Sequence, residues 1–479
     1  MTFAAIALLM AATFTCPFER VMTMDPAVGQ STVEFHAIQL VYETPLQIDY
    51  RARPYRLVSG FCNLPTVSAD GLTYTFTLAH PETTSLTAAD LVRSLGRLRE
   101  PGRPNGWIVR DILSMRALDA RTVEIRLKRR IPYFAWLMAL GSTAVVGPNG
   151  EGSGPYELTR WRKNHEMVFE RRKKEKTAFN TIRYLVVDDL STQWLMFLKG
   201  EIDYIGERTL DNWDTIVDEK GELRPELAAK GIRLYSIPSL EVLYNGINMR
   251  DPVLGPNRKL RQALNAAFDF PTWQKFLEYR VSECTTVVPP GIPDRLERPF
   301  PYRFNLEKAR RLLCEAGYPN GIDPKTGRRL VLHLAVGRVD QLSRSSSELL
   351  ASFYEKIGIK LVIDYMPWES FLTAVNEGRV QLYRMIWVAD YPSAQNFLQL
   401  FYGPNRAPGV NHSSYENSVY DAAYEAGDYL KCQEILQEDC PWVFAHYQRE
   451  YSLVGPRVGN FIQSDFPYGN EQYYENAIP

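Results

Sequence analysis

Metal-binding and catalytic signatures are what this sequence lacks. Its 479 residues include only six cysteines and six histidines, with no CxxC pair and no Cys/His spacing typical of zinc. HExxH, GxSxG and P-loop patterns are missing as well. The sequence therefore predicts no metal site, no bound cofactor and no enzymatic activity. For the cysteines two alternatives stay open: disulfides between Cys432 and Cys440 or between Cys284 and Cys314, or buried free thiols.

Excess charge of one sign and long apolar runs are also scarce. The net charge is −1, from 55 basic and 56 acidic residues. This argues against nucleic acid as a partner, because phosphate contacts need a clustered basic surplus. We interpret the one basic run, RRKKEK at 171–176, as a solvated face or loop. Beyond the first 16 residues, no segment is long and apolar enough to cross a bilayer.

The chain begins with an uncharged apolar stretch, MTFAAIALLMAATFTC, which has the length of a signal-peptide core. We therefore expect an exported protein, periplasmic or extracellular. Because no Lys or Arg precedes the stretch, two alternatives are a start further upstream and a strand of the mature protein. Cys16 is a candidate lipid-attachment site of a membrane-anchored lipoprotein, although Phe14 and Thr15 before it suit such a site poorly.

Hydrophobic patterns divide the rest of the chain into parts, and its length allows two or three cores. Residues 44–148 have the pattern of a small α+β unit. Strand, helix and strand follow at 182–205, for which we expect parallel pairing. The β-rich run at 233–249 contains few residues that would interrupt a strand, which is typical of a segment passing between domains. Strands and helices alternate from 329 to 390, which predicts a doubly wound α/β domain.

The last strand of that domain carries the candidate binding residues. Leu382 to Ala389 is an apolar run typical of a strand buried on both faces, so Asp390 stands at its carboxyl end, where open α/β sheets bind ligands. Arg384 is on the same face as Asp390, but six steps of about 3.3 Å separate their backbones by roughly 20 Å. A short zwitterionic chain, about 10 Å long for three extended residues, suits this spacing.

In that arrangement the ligand's ammonium meets Asp390 and its carboxylate points toward Arg384. The alternative is an ordinary aspartate that caps the next helix and an arginine that extends to solvent.

Three further residues near this strand are candidates for ligand contact. Tyr391 and Trp387 are aromatic and suited to side-chain pockets, although Trp387 faces opposite to Asp390 and also suits the core. His412 follows in GVNHSSY and is a candidate hydrogen-bond donor, with a surface-loop histidine as the alternative.

Eight motifs follow one another along the chain between about residues 21 and 460. They are TMDPAV, VYETPL, DGLTYTFTL, LTAADLVRSL, GSGPYEL, NRKLRQALNAAFD, ARRLLCEAGYPNG and WVADYPSAQNFL. In this order they resemble the family 5 extracellular solute-binding proteins, the oligopeptide- and dipeptide-binding components of ABC importers. In peptide-binding members, an aspartate equivalent to Asp390 receives the peptide's α-ammonium. An arginine equivalent to Arg384 can meet its carboxylate.

The resemblance implies an α/β fold, a bilobed periplasmic-binding-protein-like clamp of type II with three domains, as in oligopeptide-binding proteins. We expect a discontinuous α/β lobe from 1–43, 149–240 and 447–479, a small α+β domain at 44–148 and a second α/β lobe at 241–446. The implied partners are a short peptide and the permease subunits of an ABC transporter, and we expect a monomer. The alternative is the same fold binding a nickel chelate, haem, a sugar or an opine.

Overall fold

The structure is a computed structural model. It describes residues 13–173, 178–206, 213–218, 221–338, 340–407, 409–466 and 468–477. Residues 1–12 of the apolar N-terminal stretch and residues 174–176 of the basic run lie outside this description.

The strands are β1 (Thr13–Pro17), β2 (Leu46–Ile48), β3 (Leu57–Ser59), β4 (Thr66–Val67), β5 (Thr73–Thr77), β6 (Ile112–Ala117), β7 (Thr122–Leu127), β8 (Tyr156–Arg162), β9 (Glu166–Arg171), β10 (Thr181–Leu185), β11 (Tyr204–Gly206), β12 (Arg233–Ile247), β13 (Val281–Glu283), β14 (Val331–Val336), β15 (Lys360–Tyr365), β16 (Leu382–Val388), β17 (Trp442–Val454), β18 (Val458–Gly459) and β19 (Glu475–Asn476). The helices are α1 (Thr32–Val41), α2 (Ala88–Arg97), α3 (Phe134–Leu137), α4 (Leu190–Leu198), α5 (Trp213–Ile216), α6 (Pro225–Ala228), α7 (Arg258–Ala267), α8 (Phe270–Phe276), α9 (Leu306–Glu315), α10 (Gln341–Glu355), α11 (Trp368–Asn376), α12 (Ala394–Leu398), α13 (Ser418–Ala426) and α14 (Tyr429–Asp439). In the described ranges, no helix has the length and apolar character needed to cross a membrane.

The chain divides into two compact units. Unit 1 comprises Met1–Ile237 and Glu450–Pro479, and unit 2 comprises Pro238–Arg449. Strands β12 and β17 each run from one unit into the other. The β-rich run at 233–249 thus contributes residues to both units. The finer division into three domains, with residues 44–148 as a domain of their own, stays a prediction.

Unit 1 contains two four-stranded sheets, ordered β1-β10-β9-β8 and β4-β5-β7-β6. In β7 the side chains of Val123, Ile125 and Leu127 are buried, as strand alternation predicts. Helix α2 begins after Thr87, and the Asp90 carboxylate accepts hydrogen bonds from the backbone N–H and hydroxyl of Thr87. Local sequence signals therefore explain both the strand and the start of the helix.

The expected parallel pair at 182–205 is wrong. Strand β10 pairs with β1 in parallel and with β9 antiparallel, whereas β11 pairs antiparallel with the end of β17, Tyr204 opposite Val454. The elements themselves are present, but a strand's partner depends on which other strand reaches its edge. Here the partners come from the N-terminal and C-terminal segments, which a local pattern does not reveal.

Cys16 lies within β1, opposite Tyr184 of β10, and is 2% exposed. Residues 13–17 thus form a strand of the folded unit, and this enclosed position argues against Cys16 as a lipid-attachment site. All six cysteines fall within the described ranges and all are free, with only Cys314 exposed. The two candidate disulfides are not formed, and the alternative of buried free thiols is correct for every cysteine except the exposed Cys314.

In unit 2 strands β17, β12, β16, β14 and β15 lie side by side in this order, and β13 also pairs with β17. Strand β14 is parallel to both β15 and β16, and α10 and α11 connect these strands, which confirms the predicted alternation from 329 to 390. The core of this unit includes Trp273, Leu334 and Phe353. Helix α9 begins after Asn305, whose side chain accepts a hydrogen bond from the Lys308 backbone at 2.8 Å, as expected of an N-terminal cap.

Candidate functional site

The candidate site lies where the parallel strands of unit 2 end. Arg384 on β16 is in register with Val336 on β14, and Val336 is in register with Tyr365 on β15. Because the three strands are parallel, their carboxyl ends meet at one edge of the sheet. Strands β14 and β15 end level with Arg384, whereas β16 continues beside β12 to Val388, and Asp390 follows two residues later.

Asp390 has no counter-ion in the parts of the chain that the structure describes. Its carboxylate Oδ2 accepts one hydrogen bond, from Asn396 Nδ2 at 2.9 Å, and its backbone N–H donates to Asn396 Oδ1 at 3.2 Å. The residue is exposed to solvent, yet enough protein surrounds its carboxylate that desolvation raises the pKa, while the bond from Asn396 lowers it. The site thus presents a solvent-accessible, partly desolvated carboxylate without a cation.

Arg384 is a cation without a carboxylate partner among the described residues. Its Nη1 donates to the hydroxyls of Ser346 and Ser347 on α10, both at 3.0 Å, and its Nε donates to Asn245 Oδ1 at 3.2 Å. Burial lowers its pKa to about 10. Its Nη2 is enclosed and has no hydrogen-bond partner in the described structure. Desolvation of the guanidinium is therefore offset only in part, by neutral groups.

His446 and Arg384 both contact the side chain of Trp273. The Arg384 guanidinium carbon is 5.6 Å from the centre of the Trp273 ring, whose Nε1 donates to His446 Nδ1 at 3.0 Å. Burial, with a smaller effect of Arg384, lowers the pKa of His446 to about 3, so the ring is neutral. Since Nδ1 accepts a bond, the ring proton belongs on Nε2, a tautomer assigned from the bonding pattern.

Three donors near Arg384 thus have no acceptor among the described residues: Arg384 Nη2, Asn245 Nδ2 and His446 Nε2. An unpartnered guanidinium N–H suits a carboxylate or another oxyanion. Sequence reasoning identified Arg384 but missed Asn245 and His446. Both residues come from distant segments, and nothing in their local sequence distinguishes them from ordinary strand residues.

Of the other predicted site residues, Trp387 is linked to Asp390. Its indole Nε1 donates to Asn396 Oδ1 at 3.1 Å, so both predicted residues bond to the same buried amide. Tyr391 is 3% exposed, and its hydroxyl donates to Gln395 at 2.5 Å. Its side chain is enclosed, and its place in a ligand pocket stays a prediction.

His412 is half-buried, and burial lowers its pKa. Its Nδ1 is enclosed without a hydrogen-bond partner in the described structure, and it bonds to neither Asp390 nor Arg384. Its place in the site stays a prediction. No group of three or more metal-ligating side chains is found in the described ranges.

A separate cavity of about 450 Å³ lies within unit 1. Its lining includes Arg93 and Arg97, which are paired with Asp90 at 3.0 Å and Asp25 at 2.5 Å. Because both charges are already neutralised, this cavity lacks the unsatisfied charge found at Asp390 and Arg384.

Comparison with known proteins agrees with this architecture. The family described as "Bacterial extracellular solute-binding proteins, family 5 Middle" matches residues 57–409. Heme-binding protein A of Haemophilus influenzae is 22% identical over 467 residues, which span 86% of this chain and 82% of the relative. Glutathione-binding protein GsiB of Escherichia coli K12 is 26% identical over 469 residues, spanning 88% of this chain and 86% of the relative.

Among solved structures, HbpA2 from Haemophilus parasuis has a TM-score of 0.84 at 23% identity and covers 97% of this chain and 100% of its own. This confirms the predicted fold class, the α/β fold of the bilobed periplasmic binding proteins. These proteins bind solutes for ABC transporter permeases, but the named relatives differ in what they bind. The chain belongs to family 5 of the bacterial extracellular solute-binding proteins.

Proposed function

We propose that the protein captures short peptides outside the cytoplasm and delivers them to an ABC transporter permease, with Asp390 as the receptor for the peptide's α-ammonium. The observation that carries this proposal is the Asp390 carboxylate, which is partly desolvated and has no cation among the described residues. A primary ammonium supplies both the missing charge and up to three donors. The protein acts as a monomer and catalyses no reaction.

Arg384 extends the proposal to the other end of the peptide. Its guanidinium has an unpartnered Nη2 in the described structure and suits a carboxylate. Because Nη2 is enclosed, a ligand carboxylate reaches it only after neighbouring side chains move. We therefore assign Arg384 a role that depends on peptide length, since only one length brings the carboxylate near it. The glutathione-binding relative is consistent with this ligand class, since glutathione is a tripeptide with a free ammonium.

A non-peptide solute is the alternative. The candidates are a nickel chelate, haem, a sugar or an opine, which do not all carry an amine, and a haem-binding relative is 22% identical to this chain. A ligand without an amine leaves the Asp390 carboxylate without a cation, which is costly in a partly desolvated position. The two possibilities differ in whether binding depends on a free α-amine.

The test compares a mixed-sequence tripeptide pool with the same pool after N-acetylation, which removes the ammonium. We expect wild-type protein to bind the free pool and to discriminate strongly against the acetylated one in isothermal titration calorimetry. Asp390→Asn should lose about 2–5 kcal/mol of binding free energy, the usual cost of truncating one member of a desolvated charge pair.

Asp364→Asn is the matched control. Asp364 lies on β15, two strands from β16 in the same sheet, and its carboxylate is hydrogen-bonded to His333 Nδ1 at 3.0 Å. This variant should bind the free pool like wild type. Equal affinity of wild type for the free and acetylated pools would refute the proposal. Native mass spectrometry of freshly purified protein would then identify the non-peptide ligand that co-purifies.

A further inference from the structure

We propose that Asn396 is a positioning residue for the amine site, holding the Asp390 carboxylate so that its Oδ1 is presented to the ligand. This inference rests on the proposed role of Asp390. It adds a residue that neither touches the ligand in the proposed function nor shows any local signal in the sequence.

The Asn396 side chain is completely buried and all its bonds serve the end of β16. Its Oδ1 accepts from the Trp387 indole at 3.1 Å and from the Asp390 backbone at 3.2 Å, and its Nδ2 donates to Asp390 Oδ2 at 2.9 Å. Because two N–H donors face Oδ1, the orientation of the amide is determined by its bonding partners. One side chain thus ties the last residues of the strand to helix α12.

As a result, the two carboxylate oxygens of Asp390 have different surroundings. Oδ2 is occupied by the Asn396 amide, and Oδ1 has no protein donor in the described structure. A carboxylate anchored at one oxygen and at its backbone N–H loses little rotational freedom when a ligand binds to the other oxygen, which favours affinity. The same amide opposes the desolvation that raises the pKa of Asp390.

Asn396→Leu removes the amide while keeping similar bulk. We expect this variant to bind the tripeptide pool about tenfold more weakly at neutral pH, a loss of about 1.4 kcal/mol. Peptide affinity should fall at acid pH as Asp390 becomes protonated, and we call this fall the acid limb. In the Asn396 variant the acid limb should move to higher pH, because Asp390 loses the hydrogen-bond donor that favours its charged form. A purely structural role of Asn396 would not move that limb.

Asn265→Leu is the matched control. Asn265 is also a buried asparagine of unit 2 with three hydrogen bonds, to the carbonyls of Arg261 and Trp442 and from the backbone of Phe444. None of these reaches Asp390. We expect this variant to lose stability but to keep the wild-type affinity and acid limb. Asn396→Ser, which removes the amide without adding bulk, replaces Asn396→Leu if circular dichroism shows that the latter does not fold.

The outcomes separate this inference from the proposed function. If Asp390→Asn binds the pool as wild type does, the assignment of Asp390 as the receptor for the ammonium is wrong, and so is the positioning role of Asn396. If Asp390→Asn loses binding but the folded Asn396 variant keeps both the wild-type affinity and the wild-type acid limb, only the positioning role is overturned. Weaker binding together with a shifted limb supports both.

Discussion

Glu471 should make the folded protein less stable as the pH rises toward neutral. The residue lies in unit 1, is 8% exposed, and has one carboxylate oxygen without a hydrogen-bond partner in the described structure. Burial raises its pKa from 4.5 to about 7, against smaller opposing effects of its own backbone N–H and the Tyr184 hydroxyl. The folded state therefore retains a proton that the unfolded chain has released above pH 4.5.

The direction and size of this pH effect on the free energy of unfolding follow from the linkage between proton binding and folding. Between pH 4.5 and about 7 the folded state binds more protons than the unfolded state at this site, so the free energy of unfolding falls as the pH rises. At about 1.36 kcal/mol per pH unit, the full loss is roughly 3 kcal/mol, complete above pH 7 and absent below pH 4.5. Glu471→Gln removes the titration and keeps the shape.

We expect Glu471→Gln to be more stable than wild type by up to about 3 kcal/mol at pH 8, with the advantage shrinking toward pH 4.5. Urea unfolding at several pH values, followed by tryptophan fluorescence, measures the free energy of unfolding of both proteins. Titrating groups that the two proteins share cancel in the difference between them. Glu475→Gln is the control, because Glu475 is an exposed neighbour in the same segment. A difference between Glu471→Gln and wild type that does not change with pH would refute the reasoning.

Two further predictions concern Arg384 and the cysteines. Arg384→Ala should weaken binding of one peptide length by about tenfold or more, because only that length brings a carboxylate to the guanidinium. Calorimetry with pools of two to five residues measures this, and equal losses for all lengths would exclude the carboxylate role. In native protein we expect one of the six thiols, that of Cys314, to react with a thiol-specific disulfide reagent, rising to six after denaturation. Fewer than six in denatured, unreduced protein would indicate a disulfide.

Much of the fold could be predicted because it depends on short-range signals. The alternation in β14, β15 and β16 and the intervening helical stripes specify a doubly wound segment without reference to the rest of the chain. Caps such as Asn305 and Thr87 set helix starts through bonds to residues three positions away. The failure at 182–205 has the opposite cause, since the partner of β11 comes from β17, about 250 residues later.

The candidate site likewise combines features that local sequence signals predict with features that depend on contacts between remote segments. The sequence by itself determined that a strand stands just before Asp390, because the apolar run from Leu382 is a local signal. That Arg384 shares a face with Asp390 stays a prediction from the two-residue period of a strand. Only the tertiary structure decided that neither charge has a counter-ion among the described residues, that Asn396 anchors one carboxylate oxygen, and that His446 lies near the arginine. Counter-ions and hydrogen bonds depend on distances of a few ångströms between remote segments, which no local pattern specifies.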